Sequence, residues 1–365
     1  MNAIHPTVQV RQLSKNYGSV QALKNVDLSI AAGEYFVLLG PSGGGKTTLL
    51  RTIGGFHKPS SGQVWLNGQE VSHLPPDKRP TAMVFQAYAL FPHMSVLGNV
   101  GYGLSLAKLP KAEVRDKSIA MLEMVGLKGY EDRRPHELSG GQQQRVQLAR
   151  ALVLDRNILL LDEPLAALDA QLRKDMCLEL KHLQEKVGIT FIHVTHNQEE
   201  AMTVADRIAL IANGELVEQG AARDIYRTPE RRFTASFVGE NNLLSGTVAS
   251  VEGDTVTVQV CGQPLSVDRR DLPVSTGATV ALSIRSELVE MVPEDGSASS
   301  ADGLSLAGTY TESVYLGLTL SHRVALSDGT QIVSRVVGES DAPPPVAGSA
   351  ARVRWKPGAL RLHIN

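Results

Sequence analysis

An apolar run, Tyr35-Phe36-Val37-Leu38-Leu39, stops at a glycine-rich turn, and a helix-forming stretch from Lys46 to Ile53 follows it directly. The turn, Gly40-Pro41-Ser42-Gly43-Gly44-Gly45-Lys46-Thr47, fits the pattern G-x-x-x-x-G-K-[ST] without a gap. The context suits the pattern, with an apolar strand before the turn and a helix after it. Glycines let the backbone curl close to phosphate oxygens without Cβ clashes, so several N–H donors converge on one anion. The following helix adds its positive N-terminal end. Lys46 is expected to reach the β- and γ-phosphates, the Thr47 hydroxyl to ligate Mg²⁺, and Thr48 to join the phosphate contacts. The pattern alone leaves kinases, GTPases and motor ATPases open.

The surrounding sequence alternates strands with helices. Val26, Leu28 and Ile30 alternate with polar residues, as on a half-buried strand. Val64 and Leu66 precede Asn67-Gly68, a hairpin signal. From about Leu109 to Leu152 the pattern turns helical, with Val114, Met121, Leu122 and Val125 near the helical period. Buried strands resume at Ile158–Leu161 and Phe191–Thr195. This predicts a mostly parallel α/β sheet with a helical subdomain inserted over about residues 87–155. Phe233–Val238 reads as a helix, and beyond Gly239 the chain becomes β-rich. Val256, Val258 and Val260 alternate with polar neighbours, Asp328-Gly329 joins two alternating segments, and Asp341–Pro345 reads as a loop. The expected organisation is an α/β nucleotide-binding domain over residues 1–240 and a small antiparallel β-barrel over 241–365.

Composition excludes several classes. A formal net charge of -2 gives no support for a broad nucleic-acid-binding face, so no nucleic-acid partner is expected. No apolar run approaches the roughly 18–20 residues that span a bilayer, and Met1–Pro6 lacks the charged and apolar regions of a secretory signal. If the protein works at a membrane, other chains are expected to hold it there. The two cysteines, Cys177 and Cys261, make no disulfide framework and no Cys-x-x-Cys pair.

Further motifs narrow the class. Leu138-Ser139-Gly140-Gly141-Gln142-Gln143-Gln144-Arg145 opens a helix with a serine and two glycines, a second anion-binding helix start. It resembles the signature sequence of the ABC ATPases. Ile158–Asp162 with Glu163-Pro164 resembles the Walker B strand, and Leu168-Asp169 resembles the D-loop of that family. The resemblance assigns Asp162 to Mg²⁺ and Glu163 to the attacking water. It places Gln86 in the Q-loop, also toward Mg²⁺, and makes His196 the switch histidine at the γ-phosphate. Tyr17 matches the aromatic that stacks on adenine. It further implies that Ser139, Gly140, Gly141, Gln142 and Asp169 of one copy serve the ATP of a second copy, with two nucleotides held between head-to-tail subunits. Glu163, His196 and Lys46 are then the catalytic residues.

The whole chain resembles the ATPase subunit of a type I ABC importer, and its β-rich end resembles a TOBE domain, with Ile284-Arg285-Ser286-Glu287 at a characteristic position. The likeness runs closest to polyamine (spermidine/putrescine) importers, carried by Gly33–Leu39, His73–Pro76, Lys78–Pro80 and Val84–Met94. Ferric iron and sugar importers share slightly altered versions of these stretches. The resemblance implies a homodimer of ATPase subunits, two transmembrane permease subunits, a periplasmic or extracellular solute-binding protein, and a peripheral place on the cytoplasmic face of the cell membrane. Gly44, Ala166, Asn197 and Ser286 depart from the usual residues, and none removes a catalytic side chain. A soluble ABC ATPase acting on ribosomes or DNA would usually carry two cassettes or a long coiled coil, which this chain lacks. An exporter role fits poorly with the TOBE-like end.

Overall fold

The computed structural model describes residues 6–86, 89–293, 304–338 and 345–364. Of the Asp341–Pro345 stretch, residues 341–344 lie outside the described residues. The chain divides into two compact units, Met1–Arg223 and Asp224–Asn365.

The first unit runs through β1 (Val8–Tyr17), β2 (Val20–Ile30), β3 (Tyr35–Leu39), α1 (Lys46–Ile53), β4 (Ser61–Leu66), β5 (Gln69–Glu70) and β6 (Thr81–Val84). It continues through α2 (Val96–Leu106), α3 (Lys111–Met124), α4 (Gly140–Leu152), β7 (Ile158–Asp162), α5 (Ala170–Val187), β8 (Thr190–Thr195), α6 (Gln198–Val204), β9 (Arg207–Ala212) and β10 (Glu215–Ala221).

The expected parallel sheet is present. Its order is β10-β9-β3-β8-β7-β6, parallel throughout except for the antiparallel edge pair β10–β9. Every residue of β3, β7 and β8 is buried, which is why these strands read as unbroken apolar runs. A separate antiparallel sheet, β2-β1-β4-β5, covers one side. The strand read at Val26, Leu28 and Ile30 belongs to this second sheet, and Asn67-Gly68 makes its hairpin turn at φ 49° and 76°. Val10, Leu28, Val64, Leu38, Leu49 and Ile192 share one core between the two sheets. Helices α2, α3 and α4 enclose a core of their own around Val100, Leu122 and Val146, the expected helical subdomain.

Arg79 is 1% exposed and has no carboxylate partner among the described residues. Its guanidinium donates to Thr52 O at 2.9 Å and Ile53 O at 2.7 Å, closing the C-terminal end of α1, and also to Leu74 O and Ser72 O. Burial pulls it down to about 10.

The second unit follows α7 (Ala222–Arg227) with α8 (Arg232–Phe237), β11 (Asn241–Glu252), β12 (Thr255–Val260), β13 (Gln263–Asp268), β14 (Thr279–Arg285), β15 (Glu290–Pro293), β16 (Ser305–Tyr315), β17 (Thr319–Ala325), β18 (Gln331–Val337), β19 (Ala350–Arg354) and β20 (Arg361–Ile364). Two five-stranded antiparallel sheets, β13-β12-β11-β14-β20 and β15-β19-β16-β17-β18, share one apolar core. The division between units falls upstream of the composition change near residue 240 because residues 224–240 are bonded to the β structure. Arg285 donates to Val238 O and Tyr226 O and lies over the Tyr226 ring at 4.2 Å. Tyr226 Oη donates to Glu287 at 2.7 Å, and Ser286 Oγ donates to Glu240 at 2.9 Å. The Ile284–Glu287 motif is therefore a clasp between the sheet and the preceding helix.

Candidate active site

Strand order sets the site. β3, β8 and β7 are neighbours, and their C-terminal ends deliver the phosphate-loop residues, His196 and the Asp162-Glu163 pair to one edge of the sheet. The loop requires glycine where it bends. At Gly40, with φ 149°, a Cβ would lie 2.0 Å from Ile211 O, and at Gly45, with φ 109°, it would lie 2.7 Å from Ala22 O. Gly44 is held as tightly, with Ile211 O 2.8 Å from a Cβ position.

Lys46 is buried, and its ammonium donates to Gly40 O and Pro41 O, both at 2.8 Å, so the lysine braces its own loop. Burial lowers its pKa, while Glu163 and Asp162 act in the opposite direction. Thr47 Oγ1 donates to Asp162 Oδ1 at 3.0 Å, and Arg51 reaches Asp162 Oδ2 at 3.2 Å. Arg51 is a site residue absent from the sequence reading. Its signal is spacing: on α1 it lies four residues after Thr47 and so shares its face.

Glu163 leaves the strand at φ 47°, a left-handed conformation that costs a non-glycine residue about 1–2 kcal/mol. Its N–H donates to Val194 O at 3.0 Å, which fixes that turn against β8. The carboxylate gathers two of the predicted residues. Gln86 Nε2 donates to Oε2 at 3.3 Å, and His196 Nδ1 lies 3.3 Å from Oε1. Thr47, Asp162, Glu163, Gln86 and His196 thus form one connected group beside the loop.

Other predicted residues do not join this group within the chain. Ser139 caps α4, accepting from Gln142 N at 3.4 Å while its own N–H donates to Gln142 Oε1 at 2.9 Å. Gln142 Nε2 donates to Tyr130 Oη at 3.2 Å. Gly140 and Gly141 open the same helix. Asp169 caps α5 through Leu172 N at 3.0 Å. Tyr17 is 44% exposed, with Lys15 Nζ 4.9 Å from its ring and His57 edge-on. Ser139, Asp169 and Tyr17 are exposed, Gly140 and Gln142 are half-buried, and Gly141 is buried against Leu172.

The arrangement has the parts for phosphoanhydride hydrolysis: a glycine cradle at a helix start, a buried cation, and a carboxylate supported by an amide and an imidazole. The comparisons agree with that chemistry. A family model described as ABC transporter matches residues 23–166, and one described as TOBE domain matches 282–362. The chain is 47% identical to the spermidine/putrescine import ATP-binding protein PotA of Roseobacter denitrificans, over 98% of each chain. It is 44% identical to the protein of that name from Marinobacter nauticus, over 96% of this chain and 93% of the other. Among solved structures it is similar to the dimeric ATP-binding cassette MJ0796 in a post-hydrolysis state with ADP and Pi, with 34% identity and a TM-score of 0.53, covering 59% of this chain and 99% of that one. It is also similar to cbiO1 of Clostridium perfringens, part of the cbiONQ transporter complex, with 32% identity and a TM-score of 0.57, covering 60% and 90%. The chain belongs to the ABC transporter ATP-binding family, and its α/β unit is an ATP-hydrolysing cassette. The relatives matched over nearly the whole chain, cassette and TOBE end together, are named for spermidine and putrescine import.

Proposed function

We propose that this chain is the ATP-hydrolysing subunit of a polyamine importer. The carrying observation is that identity of 47% to a spermidine/putrescine import ATP-binding protein extends over 98% of the chain, and so through both units. Two copies close head to tail around two nucleotides. The pair works at the cytoplasmic face of the membrane beneath two permease chains, which receive polyamine from a solute-binding protein. Among the described residues no helix is long and apolar enough to cross a membrane, so the permeases supply that passage.

In the cassette, Tyr17 stacks on adenine and the Gly40–Thr48 segment holds the phosphates. Lys46 turns from its carbonyl partners toward the β- and γ-phosphates. Mg²⁺ suits the hard oxygens of Thr47, Asp162 and Gln86. Thr47 Oγ1 and Asp162 Oδ1 already lie 3.0 Å apart, and so few protein ligands are normal for an ion that keeps waters and phosphate oxygens. The ion's contribution when bound is to neutralise charge on the phosphate oxygens. Glu163 orients and polarises the attacking water, with His196 and Gln86 fixing its carboxylate. Ser139, Gly140, Gly141, Gln142 and Asp169 complete the site of the opposite copy.

Uptake of labelled spermidine and putrescine in cells lacking the chain, restored with wild type or Glu163→Gln, tests this reading. Restoration by wild type alone supports it. Unchanged uptake in the deleted cells, with other polyamine importers also removed, would refute the polyamine assignment, and ferric iron and sugars would be tested next. In the purified chain Glu163→Gln is expected to bind ATP and trap the closed dimer while turnover falls about 10²–10⁴-fold. Near-normal turnover would remove Glu163 from its role.

A further inference from the structure

Behind the strand ends that carry Glu163 and His196 lies a row of buried polar groups that the phosphate chemistry does not use. Tyr35 on β3 and His193 on β8 are both fully buried, with Tyr35 Oη 3.1 Å from His193 Nδ1. His193 Nε2 faces Glu200 Oε2 on α6 at 3.8 Å. The Tyr35 hydroxyl donates to Nδ1 in one imidazole tautomer and accepts from it in the other, and Nε2 faces the carboxylate beyond hydrogen-bonding distance.

Glu200 is itself 6% exposed and has two further partners, one on each side of the site. Thr195 Oγ1 donates to Glu200 Oε2 at 2.6 Å and accepts from Asn197 N at 3.0 Å, so this hydroxyl spans the turn that presents His196. Arg173 Nε on α5 lies 3.5 Å from Glu200 Oε1. The same guanidinium donates through Nη2 to Leu168 O at 2.7 Å, within the turn that leads from Glu163 to Asp169. Glu163, Ala166, Arg173, Thr195, His196 and Glu200 line one small cavity of about 50 Å³.

An isolated buried carboxylate is costly, and an apolar side chain of similar volume would pack there at less expense. Here the carboxylate is the joint between two segments that both reach the catalytic group. We infer that Glu200 is a positioning residue for hydrolysis. It ties the 164–169 turn, through Arg173, to the 195–197 turn, through Thr195, so that His196 and Glu163 hold one geometry when the 164–169 turn meets the opposite copy. The inference rests on the reading of Glu163 and His196 as the hydrolytic pair.

The test is steady-state ATP hydrolysis by the full-length chain in wild type, Glu200→Ala, Glu200→Gln, Arg173→Ala, the Arg173→Ala/Glu200→Ala double variant and Glu163→Gln. Supporting partners of catalytic groups typically contribute about 10–100-fold, so kcat in Glu200→Ala is expected to fall by that factor with KM for ATP within about twofold. Glu200→Gln keeps an acceptor for Thr195 and loses the charge facing Arg173, so it should recover part of the rate. Because both residues act through one joint, the double variant should be no slower than the slower single variant. Independent losses that multiply in the double variant, or a raised KM with kcat intact, would overturn the inference. If Glu200→Ala fails to fold, judged by thermal melting and ADP binding, Glu200→Gln and Arg173→Ala decide through the same split of kcat from KM. Full turnover in Glu163→Gln would sink the underlying reading instead, which separates the two failures.

Discussion

The buried His193 makes the cassette acid-sensitive, by an amount that can be worked out. Burial pushes its pKa from 6.5 down to about 3. Protonation is therefore easier in the unfolded chain than in the folded one. The unfolded state binds more protons between those two values, so stability is present above about pH 6.5 and is lost as the pH falls toward 3. At about 1.4 kcal/mol per pH unit, acidification from pH 7 to about pH 4.5 removes about 3 kcal/mol through this one residue. The groups facing it are Tyr35, with Cys177 and Glu200 in the same buried cluster. Tyr35 is raised well above its ordinary value by burial, and Cys177 is pushed up to about 12, so neither titrates in this window. Glu200 is raised by burial, with its Thr195 hydrogen bond acting the other way. A raised carboxyl gains protons more readily when folded, so it contributes with the opposite sign as the pH falls and partly offsets His193.

His193→Gln isolates the histidine, because Glu200 and every surface carboxylate remain. The chain's two tryptophans make the assay specific, since Trp65 lies in the first unit and Trp355 in the second. In a Trp355→Phe background, denaturant unfolding followed by Trp65 fluorescence reports the cassette alone. The stability lost between pH 7 and about pH 4.5 should shrink by about 3 kcal/mol in His193→Gln relative to its parent. Parallel pH profiles for the two proteins would refute the reasoning.

Ser139→Arg should abolish cooperative hydrolysis while sparing ATP binding by the single chain, and surviving turnover would disprove the trans-acting role of α4. Gly40→Ala places a Cβ 2.0 Å from Ile211 O, so nucleotide affinity measured by calorimetry should fall at least about tenfold; unchanged affinity would mean that the loop yields freely. Arg79→Met leaves the carbonyls of Thr52, Ile53 and Leu74 without their charged donor and should cost the cassette about 3 kcal/mol, read by the same Trp65 signal.

The local elements were legible where turn chemistry and burial agree. The strand Tyr35–Leu39 and the helix Lys46–Ile53 follow directly from an apolar run and a glycine turn. Asn67-Gly68 turns as its dipeptide predicts, and the helix read at Phe233–Val238 spans Arg232–Phe237. The separate antiparallel sheet was not legible, because alternation at Val26, Leu28 and Ile30 reports half-burial and says nothing of which strand lies alongside. Asn213-Gly214, at φ 51° and 81°, is a hairpin of the same kind that went unread between β9 and β10. At the site, the motif residues were visible because their spacing is local. Arg51, Arg173 and Glu200 were not, because a single charged residue on a helix reads as solvated surface until folding brings its partner from over a hundred positions away, as Asp162 comes to Arg51, or from the next helix, as Glu200 comes to Arg173. In the sequence Arg79 stands out only as part of the Lys78–Pro80 stretch, because its four carbonyl acceptors depend on the tertiary fold.

Arg79 gives the phosphate-loop helix a mechanical character. Eight residues long, α1 spans roughly 12 Å. One end is fastened by the loop that Lys46 braces, and the other by a guanidinium gripping the last carbonyls. Both ends of this short helix are therefore held by cationic side chains that donate to backbone carbonyls, and the segment around Ser72, Leu74 and Arg79 is hydrogen-bonded to the end of α1 opposite the loop. Substitutions there are expected to reach the phosphate loop through the helix that carries it, without a contact to the nucleotide.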